Sequence, residues 1–582
     1  MLYKIINKRS NILVVGIALS SMSVVTIKSA EFAETRKNSF DVRDKNIGFS
    51  SNPIPGNSAC LLDQAIPGET TTIYRNSVVS PTIAVNPNNK KHVVAAWQQG
   101  VNSATGAGLD VGIAYSKDGG KHWSHTTVPL QDCTGGITQS VNSASLSFGL
   151  DGNVHLVAAV SNISQEPNTL NQSGVVSSMS SDNGKTWSTP RYLAASQDFV
   201  TDPDMVFPAN VQSSISVDPI TGNIIGVWSN LPEAGLDHSN SQVSVSMDGG
   251  LTWSTNSVLY NPSNDVALQA ISNGLFNNVN VANNMLTTLP NGNLVNFMTR
   301  RFANPGVTND QFVNDVWPYQ YSSFDIAAVT STDNGATWQI DATPIATLDG
   351  NATFTGGYTY ATDGSITGGV GAPMSTSGSN DFFDVAVNPN NGYLYAAWQT
   401  GELTENQLPQ IALSTSRDNG ATWSDPVRVS TTPLDAANAQ AFTPSIAIDE
   451  NNNVGILYYD LRQDDNTNPN KTKANVFFAQ YKETSSPTGS STGVGLNFVR
   501  EIRVTKDSYI IQNGPQVDGK FITNGNYTDL AALGDDFYAI YVKSNEGPFM
   551  ESTVLVNDPA TSTMLLRDNN KRTAPFFSRI DA

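Results

Sequence analysis

The chain has 582 residues, of which 39% are hydrophobic and only 14% charged, so it has ample material for a packed interior. Thirty-two basic residues against 51 acidic ones leave a net charge of −19. That balance argues against a nucleic-acid partner, which needs a concentrated basic face, and the two cysteines and five scattered histidines offer no metal-ligating spacing.

The N-terminus reads as an export signal. Lys4, Lys8 and Arg9 precede an apolar run from about Ile12 to Ile27, and Ala30-Glu-Phe-Ala33 fits a small-x-small cleavage site. Removal of residues 1–33 is expected, giving a product that is secreted or held at the cell surface or in the periplasm without stable membrane insertion. An uncleaved anchor is the alternative. Residues 34–69 are polar, rich in Pro and Asn, and read as an irregular extension. Cys60 and Cys133 are the only cysteines, and an even pair in an exported chain predicts a disulfide.

From Thr70 to the end a longer unit repeats. It opens with an apolar strand, a polar turn and a second apolar strand, as in Pro81–Trp97, Ser213–Trp228 and Phe383–Trp398. Weaker versions occupy Ser143–Ala159 and Val281–Thr299, and two more, Pro444–Asp460 and Thr528–Val542, are not followed by the phrase described next. Alternation with β-branched residues favours strands, and no long 3.6-residue period competes.

Within five units a second hairpin carries a fixed phrase: SKDGGKHW from Ser116, SSDNGKTW from Ser180, SMDGGLTW from Ser246, STDNGATW from Ser331 and SRDNGATW from Ser416. In each, the Asp (Asp118, Asp182, Asp248, Asp333, Asp418) can accept from backbone N–H groups of its own loop. The Gly supplies positive φ, and the Trp lies back over the turn. These five carboxylates read as turn-makers, not as chemistry.

This phrase is the Asp-box, and the chain resembles the sialidase-like Asp-box (BNR) β-propellers. The resemblance implies an all-β propeller of four-stranded blades, with seven blades expected and six plus an accessory hairpin as the alternative. The seventh blade is short of an outer strand, and Thr70–Ser77 is the expected donor. Short turns then share one end of the ring, while long, dissimilar loops gather at the other, including Arg301–Phe324 and Leu348–Asp381. Variable loops around a central depression are where a ligand is expected.

Sialidases clamp the substrate carboxylate with three arginines and use a Tyr nucleophile, a Glu base and an Asp acid. Carried onto this chain, the resemblance nominates Arg75, Arg301 and Arg462 as the clamp, with Arg300 a rival to Arg301. Asn76-Ser77 follows Arg75 where the family has Ile-Pro. Asp110, six residues before Ser116, is the expected acid, although Asp325 stands at the same spacing before Ser331. Glu233, with Glu402 its rival, is the expected base, and Tyr527 the nucleophile. No cofactor is expected; Asp464, Asp465, Asn466 and Asn468 offer oxygens for a structural Ca²⁺, with a polar turn as the ordinary reading. The expected partner of a monomeric chain is a glycan or glycoconjugate. Two readings follow: an exo-α-sialidase-like glycoside hydrolase, or a non-catalytic propeller that binds glycans or proteins at the cell surface. Some other propeller enzyme, such as a lyase, stands behind them.

Overall fold

The computed structural model describes residues 42–51, 53, 71–103, 106–131, 138, 140–162, 172–195, 213–230, 239–271, 279–303, 321–348, 383–405, 408–468, 471–484, 493–517, 520–521, 528–544, 553–558, 563–568 and 571–581. Among these residues no helix is long and apolar enough to cross a membrane.

Among the described residues, antiparallel strands follow one another along the chain in groups of four, numbered in order as sheets 1 to 7; the first two groups and the hairpin Thr553–Asp558 and Thr563–Asp568 form one continuous ten-stranded sheet, and sheet 6 carries a fifth strand. Sheet 1 is Thr72–Val85, Val93–Asn102, Gly108–Ser116 and Ser124–Val128; sheet 2 is Ser140–Phe148, Val154–Asn162, Gln172–Ser180 and Arg191–Ala195. A single pairing, Gly108 with Val141, joins these two. Sheets 3, 4, 5 and 6 begin at Ser213, Val279, Phe383 and Ala441, and sheet 7 at Asp529. The first strand of each sheet packs beside the first strand of the next, and that of sheet 7 returns beside that of sheet 1, which closes a ring. The architecture is a β-propeller.

The core is divided among the seams between neighbouring sheets. Trp97, Tyr538 and Phe577 fill the seam of sheets 7 and 1, and Val111, Leu146 and Leu156 that of sheets 1 and 2. Tyr458 and Tyr395 lie between sheets 5 and 6, while Phe478, Phe537 and Tyr541 lie between 6 and 7. A second strand therefore has a neighbour on each face, and Val93–Asn102 is buried at all ten positions. This is why these strands read as nearly continuous apolar runs.

The repeated phrase builds one turn five times. In sheet 2, Ser180 Oγ donates to Asp182 Oδ1 (2.9 Å), Thr186 N–H to Oδ1 (2.8 Å) and Thr186 Oγ1 to Oδ2 (2.7 Å). Asn183 and Gly184 take the positive φ values, 64° and 84°. In sheet 1 the imidazole of His122 replaces the threonine hydroxyl, with Nδ1 2.6 Å from Asp118 Oδ2. The box tryptophans plug the seam towards the preceding sheet: Trp123 meets Phe577 edge-on at 5.0 Å, and Trp423 meets Phe297 at 5.8 Å. Burial works against the Asp182 charge, but the donors from Thr186 and Ser180 outweigh it and hold the carboxyl below the usual range. Asp182→Ala is expected to cost about 1–3 kcal/mol by stranding those donors. Urea denaturation checks it, and a variant of unchanged midpoint would remove the structural role.

Ring closure differs from the expectation. Thr70–Ser77 does not supply the outer strand of sheet 7; residues 72–85 form one long inner strand of sheet 1. The outer strand is Val42–Asn46, which pairs antiparallel with Thr573–Asp581, so these five residues of the expected irregular extension are ordered. Asp44 anchors it, accepting from Lys543 Nζ (2.7 and 2.8 Å) and Tyr541 OH (2.9 Å). Lys543 also lies over the Phe576 ring at 3.8 Å, and Arg43 donates to the carbonyls of Val504 and Arg503 in sheet 6.

On the inner strands, aspartates tie sheet to sheet. Asp384 Oδ2 accepts from Ser445 Oγ (2.6 Å) and Ile446 N–H (2.8 Å), joining sheets 5 and 6. Asp529 does the same with Thr82 (2.9 Å) and Ile83 (2.8 Å), joining sheets 7 and 1. Burial first, and then the nearby Asp529 charge, raise the Asp384 carboxyl to about 7. The folded chain therefore holds this proton more tightly than the unfolded chain does. Stability from this group is full below about pH 4 and declines as pH rises through about 7. Asp384→Asn should flatten that part of the melting temperature–pH curve; an unchanged slope would count against the assignment.

Candidate functional site

The pairings put both short hairpin turns of a sheet at one end; Val93 pairs with both Val85 and Ser116, for example. The connections between second and third strands, and between sheets, emerge at the other end. The strand positions nearest that end carry the candidate residues.

In sheet 1, Arg75 lies on the inner strand, Gln99 on the second and Asp110 on the third, with Gln99 paired across to Asp110. Gln99 links the group: its Nε2 donates to the Arg75 carbonyl (2.9 Å) and its Oε1 accepts from Trp97 Nε1 (2.8 Å). Asp110 is fully buried, and Oδ1 accepts from the Val111 N–H at 2.9 Å. Arg75 is buried as well. Sequence spacing thus brings an arginine and an aspartate to the same end of one sheet, through a glutamine that the resemblance does not single out.

Sheet 4 shows what the same position does with a cation opposite. Asp325 pairs across to Arg300 as Asp110 does to Gln99. Arg300 Nε and Nη2 reach the two Asp325 oxygens at 2.9 and 2.6 Å, and Nη1 reaches Asp265 Oδ2 at 3.1 Å. Tyr260 OH donates to the same Asp265 oxygen at 2.8 Å. All four side chains are buried. Burial opposes the guanidinium charge, but Asp325 and Tyr260 more than offset it and hold Arg300 protonated. Arg300 is therefore spent within the fold and is no rival for a substrate. Arg301, its neighbour, falls on the opposite face of the strand and is also buried.

Arg462 sits in a second cluster of carboxylates, in sheet 6. Nη1 meets Glu501 Oε2 at 2.7 Å and Nη2 meets Glu501 Oε1 at 3.1 Å, filling the fork bidentately. Nη2 also reaches Asp460 Oδ2 at 2.7 Å, and the guanidinium stacks 4.0 Å from the Phe477 ring centre. Phe477 and Glu501 belong to the third and outer strands of sheet 6, so the side chain runs away from the inner strands at the ring's centre. Arg300 and Arg462 share one arrangement, a cation between two carboxylates.

Glu402 is exposed in the loop after the second strand of sheet 5. Glu233, Tyr527, Cys60 and Cys133 lie outside the described residues, as do 304–320 and 349–382 within the two long loops. Of the oxygens considered for Ca²⁺, Asp464 accepts from Asn438 Nδ2 (3.1 Å) and Lys473 N–H (3.2 Å), and Asp465 accepts from Thr467 Oγ1 at 2.6 Å. Asn466 has φ of 55° and donates to the Ala437 carbonyl. These contacts build a polar turn.

The partners of these two arginines, Asp265 and Glu501, are what the sequence reading missed. The one available signal was the run of acids around Arg462 (Asp460, Asp464 and Asp465); Arg300 has no acidic residue between Asp265 and Asp310, and distance along the chain gives no hint that Glu501 returns to Arg462.

The described fold and site define a β-propeller with buried polar groups at its long-loop end. No protein-family model matches the sequence, and no curated protein matches it. Solved structures do resemble it. An intramolecular trans-sialidase from Ruminococcus gnavus, in complex with oseltamivir carboxylate, is 14% identical over 87% of this chain and 94% of its own, with a TM-score of 0.37. An alpha-L-arabinofuranosidase from Fusarium graminearum, bound to an iminosugar inhibitor, is 14% identical over 73% and 93%, with a TM-score of 0.38. The polysaccharide lyase Uly1 is 11% identical over 93% and 97%, with a TM-score of 0.44.

Proposed function

We propose that this chain is an exported glycan-active propeller, a glycoside hydrolase that works at the long-loop end of the ring. The observation that carries this reading is a buried carboxyl, Asp110, at the entry of a third strand at the long-loop end, in the sheet whose inner strand carries the buried Arg75. An aspartate held at that end of a strand is the type of group that can protonate a leaving oxygen. Arg75, Arg301 and Arg462 are the candidates to hold an acidic sugar, with Glu233 and Tyr527 as base and nucleophile from the loops. In the free chain Arg462 pairs with Asp460 and Glu501.

Asp110→Asn is expected to lower turnover of natural glycosides by about 10²–10⁴-fold and to spare substrates with good leaving groups. The near-isosteric change should leave the melting temperature within a few degrees. The assay begins with the purified wild type, offered sialosides, α-L-arabinofuranosides, other exo-glycosides and anionic polysaccharides. Silence on all of them, with retained binding on a glycan array, favours the non-catalytic binding module.

A further inference from the structure

The net charge of −19 conceals a local reversal at the short-turn end of sheet 1. The first turn of this sheet carries Lys90 and Lys91, its box turn carries Lys117 and Lys121, and all four are exposed. The two turns touch, with the Gly119 N–H donating to the Lys91 carbonyl at 2.9 Å. Lys45, in the closing strand, brings a fifth ammonium by donating to the Lys121 carbonyl. The carboxylates that meet this group are Asp118, Asp535 and Asp536. Asp118 is engaged inside its own box, by Ser116 Oγ at 2.9 Å and His122 Nδ1 at 2.6 Å. Asp536 is shared between Lys90 Nζ (3.1 Å) and Arg579 Nη2 (2.9 Å), and the exposed Asp535 lies 3.6 Å from Lys90. Cations therefore outnumber carboxylates here. No other described short turn carries more than one basic residue, and the first turn of sheet 6 carries Asp449 and Glu450.

The physics of the patch selects the kind of partner. Exposed charges act over about 8 Å at physiological salt, so a partner at this face meets the lysines and not the net charge of the chain. None of the exposed large apolar side chains lies on sheet 1 or sheet 7, so the face lacks the apolar anchors that centre a protein–protein interface. A lysine ammonium is a compact point charge on a flexible stem, and lysines spread over separate turns build no fixed cage for one small anion. They suit a chain that carries charge at regular intervals, which gains from every contact as its counterions are released. We infer that this face binds a linear anionic polysaccharide, gripping its carboxylate or sulfate groups with Lys45, Lys91, Lys117 and Lys121. The face lies at the opposite end of the ring from the long loops, and the inference does not depend on the activity proposed there.

The test passes the full chain over surfaces carrying polygalacturonate, dextran sulfate, neutral dextran or oligo(dT). Binding to polygalacturonate alone identifies a carboxylated partner, binding to dextran sulfate alone a sulfated one, and binding to both a site for either; all three support the inference. Raising the salt from about 50 to about 150 mM should weaken that binding about tenfold or more. Binding to neither polyanion, equal binding to neutral dextran, or tighter binding to oligo(dT) overturns it. Lys91→Glu with Lys117→Glu should weaken polysaccharide binding about tenfold or more, whereas Arg417→Glu with Lys482→Glu, the same charge change on sheets 5 and 6, should alter it less than about twofold. Equal losses in the two variants would trace the binding to net charge and overturn the assignment to this face. Lys91→Gln with Lys117→Gln, a milder change at the same exposed positions, keeps the test open if the charge reversal disturbs folding: unchanged affinity in that variant also overturns the inference.

Discussion

Arg300→Ala should cost about 3–5 kcal/mol, although Arg300 was a candidate for substrate binding. The guanidinium is 4% exposed and is the shared partner of Asp325 and Asp265. Removing it leaves two largely buried carboxylates without their shared cation. Asp265 retains the N–H groups of Leu268 and Ala342 and the Tyr260 hydroxyl, so Asp325 suffers more. A second variant, Arg300→Met with Asp325→Leu, should recover much of the loss, because it removes the stranded charge along with its partner. Urea denaturation of the two variants beside the wild type measures both quantities. A single variant with a wild-type midpoint would show that the cluster stabilises nothing.

A loss of similar size, about 3–5 kcal/mol, is expected from Asp44→Ala. Lys543 would remain with a side chain 10% exposed and its two charge-assisted bonds gone. Burial already lowers the Lys543 pKa, with the Asp44 charge resisting, so without Asp44 the amine sheds its proton more readily. The Tyr541 hydroxyl and the Lys506 N–H lose their acceptor as well. Because Asp44 sits in the outer strand of sheet 7, the damage should appear as early release of residues 42–46. Limited proteolysis followed by mass spectrometry reads this directly: cleavage near Lys45 should precede any other cut in the variant and not in the wild type. Equal cleavage in both would break the link between the ion pair and strand docking.

The parts of the fold legible in the sequence are those whose cause is local. A Ser, Asp, Gly and Trp at fixed spacing close a turn by themselves, so five hairpins could be read without knowing what surrounds them. The inner and second strands were legible because burial on both faces demands long apolar runs. The closing strand was not, because VRDKN has no apolar alternation and is only half-buried; it is held by an ion pair and backbone bonds from residues more than 450 positions away. The site divides in the same way. Asp110 was placed by its offset from a local turn. The fates of Arg300 and Arg462 were set by Asp265 and Glu501, whose approach is a matter of sheet topology.

The closing strand also constrains how the chain can be made. Asp44 N–H bonds to Ser578 Oγ across 534 residues, so sheet 7 joins an early stretch of the chain to its last strand. At about 5–20 residues per second, roughly half a minute to two minutes separate the emergence of those two stretches. Until the end arrives, six sheets can assemble while the ring stays open. The face of sheet 1 that carries Ile83, Val93 and Trp97 then has no neighbour. That face is an adhesive patch with a lifetime set by translation, and residues 42–46 are a free edge over the same interval. A cell that makes this protein has to shield both, or outpace their aggregation, before the last nine-residue strand docks.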